Sequence, residues 1–249
     1  MGTRLSKRQK KQLRRQNIYP QPTFKEHFRI RRIHPATENQ QIAFEAYEDG
    51  SNLLLHGLPG TGKTFVSMYL ALEQLLEQGL TSQRKLVIIR SVVPTRDIGF
   101  LPGNVKQKSQ VYELPYTNIT NELFGRGDAY DILKQKGIIE FETTSFLRGI
   151  TLDNSIVYVD EMNNMSFHEL DSIITRMGKN SRILFSGDFG QSDLRSEEKN
   201  GLLKFMNVLK KLNWFEYVEF NEDDIVRSGI VKDYIITKHQ LGYGQALCA

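Results

Sequence analysis

The residues best equipped for chemistry form the run Gly57-Leu58-Pro59-Gly60-Thr61-Gly62-Lys63-Thr64, which matches G-x-x-x-x-G-K-[ST]. Glycines at this spacing let the backbone curl until successive N–H groups face one anion. The start of a following helix adds the positive end of its dipole. Lys63 brings a point charge to the outer phosphates, and the Thr64 hydroxyl can coordinate magnesium. These eight residues, with Phe65 in the first helical turn, are the candidate nucleotide-binding set. A phosphate loop needs a carboxylate to order its metal, and Ile156-Val157-Tyr158-Val159-Asp160-Glu161 supplies one at the end of an apolar run. Asp160 would hold the magnesium through water, which makes Thr64 and Asp160 the candidate metal residues. Glu161 could polarise an attacking water as general base. A third run, Ile183-Leu184-Phe185-Ser186-Gly187-Asp188-Phe189-Gly190-Gln191, ends in a polar cluster. There Gln191 could sense the γ-phosphate or the lytic water, and Asp188 could link the nucleotide to a moving loop.

These residues need elements to position them. Asn52–Leu55 reads as a short buried strand before the loop. Phe65–Gln78 has apolar residues at helical spacing and stops at Gly79. Further strands are predicted at 85–89, 137–142, 156–159, 182–185 and 217–220. Helices are predicted around 42–47 and at 167–177, 199–212 and 230–236. Strands alternating with helices predict an α/β fold, a mostly parallel sheet with helices on both faces. In such sheets ligands sit at the carboxyl edge, which would bring Asp160 beside the phosphate loop. Residues 91–148 hold Pro94, Gly99, Pro102, Gly103, Pro115, Gly125 and Gly127, and read as a loop-rich insertion with one helix near 121–135.

The chain has 249 residues, with 39% hydrophobic and 25% charged, which excludes wholesale disorder. It has one cysteine, Cys248, so a disulfide framework and a cysteine-built metal site are excluded. There is no apolar run long enough to span a membrane and no apolar segment after the basic N-terminus. The expectation is a cytoplasmic protein with no membrane partner. The net charge of +4 conceals an asymmetry. Residues 1–32 hold eleven Lys/Arg and one acid, whereas the remainder is net acidic. Residues 1–33 therefore read as a basic arm, 34–240 as the core and 241–249 as a tail. Eleven cations in one arm would release many counterions on a phosphate backbone, so RNA or single-stranded DNA is the favoured partner. An acidic partner remains open. Anionic lipid is disfavoured, because the arm lacks an apolar face with aromatic anchors. Phe100 could stack on a base or be buried; both readings stand.

Taken together, the blocks resemble the PhoH-like proteins, ATPases with a phosphate loop related to the superfamily-one helicase core. The resemblance is carried by Gly57–Thr64, Pro94–Gly103, Arg148–Thr151 ahead of Val159–Asn163, Thr175–Gly178, Ser186–Gln191 and Asp224–Arg227, and covers roughly residues 34–240. It implies a RecA-like core that binds and hydrolyses ATP with Mg2+ and acts on RNA. The short length and basic arm are similar to the form carried by bacteriophages, in which case the compartment would be the host cytoplasm. At the position where helicase-like cores read adenine with a glutamine, this chain has Gln40, whose amide can both donate and accept. Two motifs depart from the family: Met162-Asn163 stands where Ala-Gln is usual, and Ile150 where an arginine is usual. No nuclease domain of the kind found in one branch precedes the core, so nuclease activity is not expected.

Only 58 residues follow Gln191, too few for a second RecA-like lobe. A homo-oligomer is therefore expected, a hexameric ring being one form, with an arginine finger from a neighbouring copy. Arg227 is the first candidate and Arg176 the second. The alternative to a helicase-like ATPase is an ATP-driven assembly switch that does not translocate. A guanine-reading Asn-Lys-x-Asp is absent, which disfavours a GTPase.

Overall fold

The computed structural model describes residues 28–76, 82–91, 105–144, 149–188 and 196–242. The described residues contain six strands: β1 (Asn52–Gly57), β2 (Lys85–Arg90), β3 (Ile139–Thr143), β4 (Ser155–Asp160), β5 (Arg182–Gly187) and β6 (Phe215–Phe220). They form one sheet in the order β3-β2-β4-β5-β1-β6, and every pairing is parallel. The helices are α1 (Glu38–Glu48), α2 (Lys63–Leu76), α3 (Val105–Phe124), α4 (Ala129–Gln135), α5 (Phe167–Ile174), α6 (Ser196–Leu209) and α7 (Gly229–Gln240). This is the α/β, RecA-like fold that the alternation of strands and helices predicts, with β5 inserted between the phosphate-loop strand β1 and the acidic strand β4.

The strands read as near-continuous apolar runs because both faces of the sheet are covered. Their side chains divide by the two-residue period of a strand. Leu53, Leu55, Leu86, Ile88, Ile156 and Tyr158 share one core with α1 to α4. Leu54, Val87, Ile89, Val157, Val159 and Phe185 share the other with α5 and α6. Helix starts follow capping chemistry. The Thr37 hydroxyl accepts from the Gln40 backbone N–H at α1, and Ser166 with Glu169 forms a reciprocal capping box at α5.

The main departure from the sequence reading is in 91–148. One helix near 121–135 is predicted in a loop-rich stretch, whereas α3 runs for 20 residues through Pro115 and a separate α4 follows. A proline inside a helix forfeits one backbone bond. Here Pro115 is exposed, while Tyr116 and Leu123 on the packed side are buried at 0% and 1%. Tertiary burial outweighs the local breaker. Within the stretch assigned to the arm, Phe28 and Ile30 are buried in the α1–α4 core, and the Arg31 N–H donates to the Leu123 carbonyl. Residues 1–27, which carry most of the arm's charge, lie outside the described residues, as does Phe100.

At the opposite end of the sheet from the site, Arg182 braces α1 against β5. Its guanidinium donates to the Tyr47 and Ser51 carbonyls (both 2.7 Å) and to Gln74 Oε1 (3.0 Å), and lies 3.6 Å from the Tyr47 ring centroid. Arg182→Ala should destabilise the fold by about 2–3 kcal/mol, because three partly buried acceptors lose a charged donor. Arg182→Lys should recover only part of this, since an ammonium cannot reproduce the fork. Urea denaturation checks both; a loss below about 0.5 kcal/mol would show that water replaces the brace.

Candidate functional site

The carboxyl ends of β1, β5 and β4 meet along one edge of the sheet. Register places Leu55 beside Ser186, Val159 beside Phe185 and Arg90 beside Asp160. Chain leaving β1 becomes the phosphate loop and then α2. Gly57, Gly60 and Gly62 have φ values of 127°, 77° and 84°. Gly57 is also sterically obligatory, because an added Cβ would fall 2.0 Å from the Phe220 carbonyl oxygen of β6. The curl expected from the glycine spacing is thus present.

A crevice of about 990 Å³ opens over this edge, within the range of small-molecule sites. Its phosphate end is lined by Pro59, Gly60, Gly62, Lys63 and Thr64 from the loop side, and by Asp160, Glu161, Ser186 and Asp188 from the strand ends. Phe65, Gln40, Arg227 and Lys238 also line it. Gly57, Leu58 and Thr61 act from behind, through their oxygen atoms. The Lys63 ammonium donates to the Gly57 and Leu58 carbonyls (2.9 and 2.6 Å) and to Thr61 Oγ1 (3.2 Å). Burial pushes the Lys63 pKa down to about 8, against the opposing pull of Asp188, Asp160 and Asp224.

Thr64 Oγ1 donates to Asp160 Oδ1 at 3.4 Å. This pairing suits magnesium, which takes oxygen donors and keeps several waters, and which is held by one or two carboxylates plus substrate phosphates. No group of three or more His, Cys, Asp or Glu able to hold a metal occurs among the described residues. Asp160 is 5% exposed. Its Oδ1 also accepts from the Tyr158 hydroxyl, Ser186 Oγ (both 2.7 Å) and the Glu161 N–H (3.0 Å), while Oδ2 accepts from the Tyr116 hydroxyl (2.8 Å). Burial first, then the Asp160 charge, holds both tyrosines well above the ordinary phenol range, so they remain donors.

Glu161 adopts φ 50°, ψ 45°, a left-handed conformation that costs a non-glycine residue about 1–2 kcal/mol. The Arg90 guanidinium donates to its Oε1 at 2.5 Å, and its carboxylate lines the crevice. Burial opposes the charge on Arg90, but Tyr116, Glu161 and Asp160 outweigh it and raise its pKa. Strain at an ionisable residue facing a cleft is characteristic of working sites.

Other expected residues fall as follows. The Gln40 amide bonds backbone at both ends, with Oε1 accepting from the Ala36 N–H (2.8 Å) and Nε2 donating to the Thr61 carbonyl (3.0 Å). It ties α1 to the loop. The Asn163 carbonyl oxygen accepts from the Asp188 N–H at 3.0 Å, joining the second and third motifs. Arg227 lies at its own chain's crevice, with Cγ 2.9 Å from where a Gly60 Cβ would fall. The segment carrying it is strapped on by a bond from the Val226 N–H to the Gly60 carbonyl. Arg176 donates to the Ser172 carbonyl and is not among the crevice-lining residues. Gln191 lies outside the described residues. Sequence reasoning missed Arg90, Tyr116 and Tyr158. Arg90 could have been flagged as the polar end of a predicted strand on the ligand edge. Tyr158 sits two residues before Asp160 and so shares its face. Tyr116 lay in a stretch read as loop.

A phosphate loop and an acidic strand end on a parallel sheet, separated by one strand, define a nucleotide-binding P-loop NTPase with a RecA-like core. A family model described as PhoH-like protein matches residues 32–238, and the chain belongs to the PhoH-like family. Among its relatives, a PhoH-like protein of Bacillus subtilis is 31% identical over 180 residues, which is 72% of this chain and 55% of that protein. A PhoH-like protein of Synechocystis is 32% identical over 177 residues, covering 71% and 53%. The chain spans about half the length of these curated relatives. Among solved structures, the helicase domain of Pyrococcus furiosus Hef aligns with 75% of this chain and 39% of its own, at TM-score 0.44 and 15% identity. No described helix is long and apolar enough to cross a membrane.

The shifted lysine makes nucleotide affinity pH-dependent. Phosphate binding needs the ammonium form, and the nucleotide-free protein loses that form as pH rises through about 8. Affinity for a nucleoside triphosphate should therefore hold below pH 8 and fall by up to about tenfold per unit above it. Lys63→Ala should bind weakly and lose this dependence. Titration with a fluorescent nucleotide between pH 6.5 and 9.5 tests both.

Proposed function

We propose that this protein binds ATP with Mg2+ and hydrolyses it, as a helicase-like oligomer acting on RNA or single-stranded DNA. One observation carries the catalytic reading: Lys63, Thr64, Asp160 and Glu161 converge on one crevice at the carboxyl edge of the sheet. Magnesium, when bound, supplies charge neutralisation across the outer phosphates. Thr64 and Asp160 would hold it, and Lys63, which bonds its own loop carbonyls, would supply charge to the outer phosphates. Glu161 takes the proton of the attacking water. Arg90 engages one of its oxygens, which leaves the other, 3.5 Å from Asn164 Nδ2, to meet that water. Arg227 supplies positive charge in cis beside Gly60, and Gln191 orients the water.

Nucleic acid is favoured by the charge of residues 1–32. The assembly-switch reading has its own support. Helix α7 has no buried residue, and Ile230, Tyr234 and Leu241 on and beside it are 83%, 66% and 63% exposed. That apolar face suits a protein neighbour.

Glu161→Gln should keep ATP affinity within about threefold and cut turnover by at least about a hundredfold, the usual range for losing a general base. Retained turnover would move the base elsewhere. Deleting residues 1–22 should weaken RNA binding and flatten its salt dependence, leaving ATP binding intact. ATP hydrolysis against a panel of RNAs and DNAs, with oligomer mass recorded in the same buffer, separates the two readings. Turnover indifferent to every polynucleotide, with and without the arm, favours the switch.

A further inference from the structure

Asp160 is fixed by five donors, and four of them belong to the strand edge and the phosphate loop: Tyr158, Ser186, the Glu161 N–H and Thr64. All four approach Oδ1. The fifth, Tyr116, comes from α3 and is the donor to Oδ2. The Tyr116 side chain is fully buried, edge-on to Tyr158 at 6.4 Å between ring centroids. One turn earlier on α3, the Tyr112 ring lies 5.9 Å from the Arg90 guanidinium that holds Glu161. One turn later Ile119 and then Glu122 line the crevice. A single helix face therefore runs from the base-holding arginine, over the metal-holding carboxylate, to the crevice wall.

We propose that Tyr116 is a positioning residue for magnesium: its hydroxyl locks the rotation of the Asp160 carboxylate, making α3 a structural part of the metal site. A carboxylate pinned on one oxygen alone can still pivot about that oxygen. A second donor on Oδ2 removes the pivot and fixes the direction in which lone pairs are offered to a metal-bound water. Outer partners of this kind are commonly worth about tenfold or more in metal affinity. Any displacement of α3 along its axis, or about its bond-deficient turn at Pro115, then alters how tightly the cation is held.

The inference rests on the crevice being the site of Mg-ATP, and the experiment keeps the two apart. Binding of a fluorescent ATP analogue to the full chain is followed across a magnesium series for wild type, Tyr116→Phe and Tyr130→Phe. Tyr130 is the control. It is also a buried tyrosine donating to a carboxylate, Glu113 at 3.2 Å, but away from the crevice. Tyr116→Phe should raise the magnesium concentration at half-saturation about tenfold, with affinity restored at high magnesium. Tyr130→Phe should match wild type. Coincidence of the Tyr116→Phe and wild-type curves overturns the inference, as does an equal shift in both variants, which would signify general loosening of α3. Wild-type binding without magnesium dependence overturns the Mg-ATP reading instead. Should Tyr116→Phe fail to fold, hydrogen exchange of the wild-type chain decides: amides around Tyr116 must gain protection with nucleotide plus magnesium over nucleotide plus chelator, and equal protection overturns the inference.

Discussion

Removing a carboxylate from water costs several kcal/mol unless its oxygens are satisfied, and the chain meets that constraint at Asp160 with donors from five separate positions. Much of the local architecture follows. Tyr158 must lie on the same face of β4, which the two-residue period ensures. Ser186 must end β5 beside it, which requires β5 between β1 and β4. The Glu161 N–H must turn inward to reach Asp160, and Glu161 itself adopts the left-handed conformation, with its side chain at the sheet edge. The strain at Glu161 is thus the local consequence of satisfying Asp160, and Arg90 secures the result.

The phosphate loop is held from the other side. Phe220 approaches Gly57 so closely that only glycine fits, Val226 bonds the Gly60 carbonyl, and Gln40 bonds the Thr61 carbonyl. The chain that leaves β6 is itself anchored to α1, since the Asn39 amide and the Asn221 N–H both donate to Asp224. Burial alone would raise the Asp224 pKa, but these and neighbouring hydrogen bonds hold it below the ordinary carboxylate value. Elements separated by more than 150 residues in sequence are thereby fastened onto one short loop. Gln40 shapes the cradle as well as lining the crevice: its amide makes one bond to backbone at each end.

The strands, the phosphate loop and the acid pair were legible in the sequence because each depends on local signals: apolar runs ended by glycine or by polar residues. Strand positions came out within two residues or so for the same reason. Helix α3 was not legible. Its pattern is interrupted by Pro115, and what stabilises it is burial of Tyr116, Leu123 and Phe124 against elements distant in sequence. The partners of Glu161 and Asp160 were hidden likewise, since Arg90 and Tyr116 meet them only through strand register and helix packing. Gln40 and Arg227 were singled out by position, and position does not report the backbone bonds that the Gln40 amide makes.

The outermost strand β6 pairs with β1 on one side, and among the described residues nothing pairs with its other side. Along it Glu216 and Glu219 are exposed. Two such borders laid together would confront like charges on adjoining backbones, a familiar guard against uncontrolled fibre growth. Those two charges thus disfavour the joining of two such sheets into one continuous ribbon.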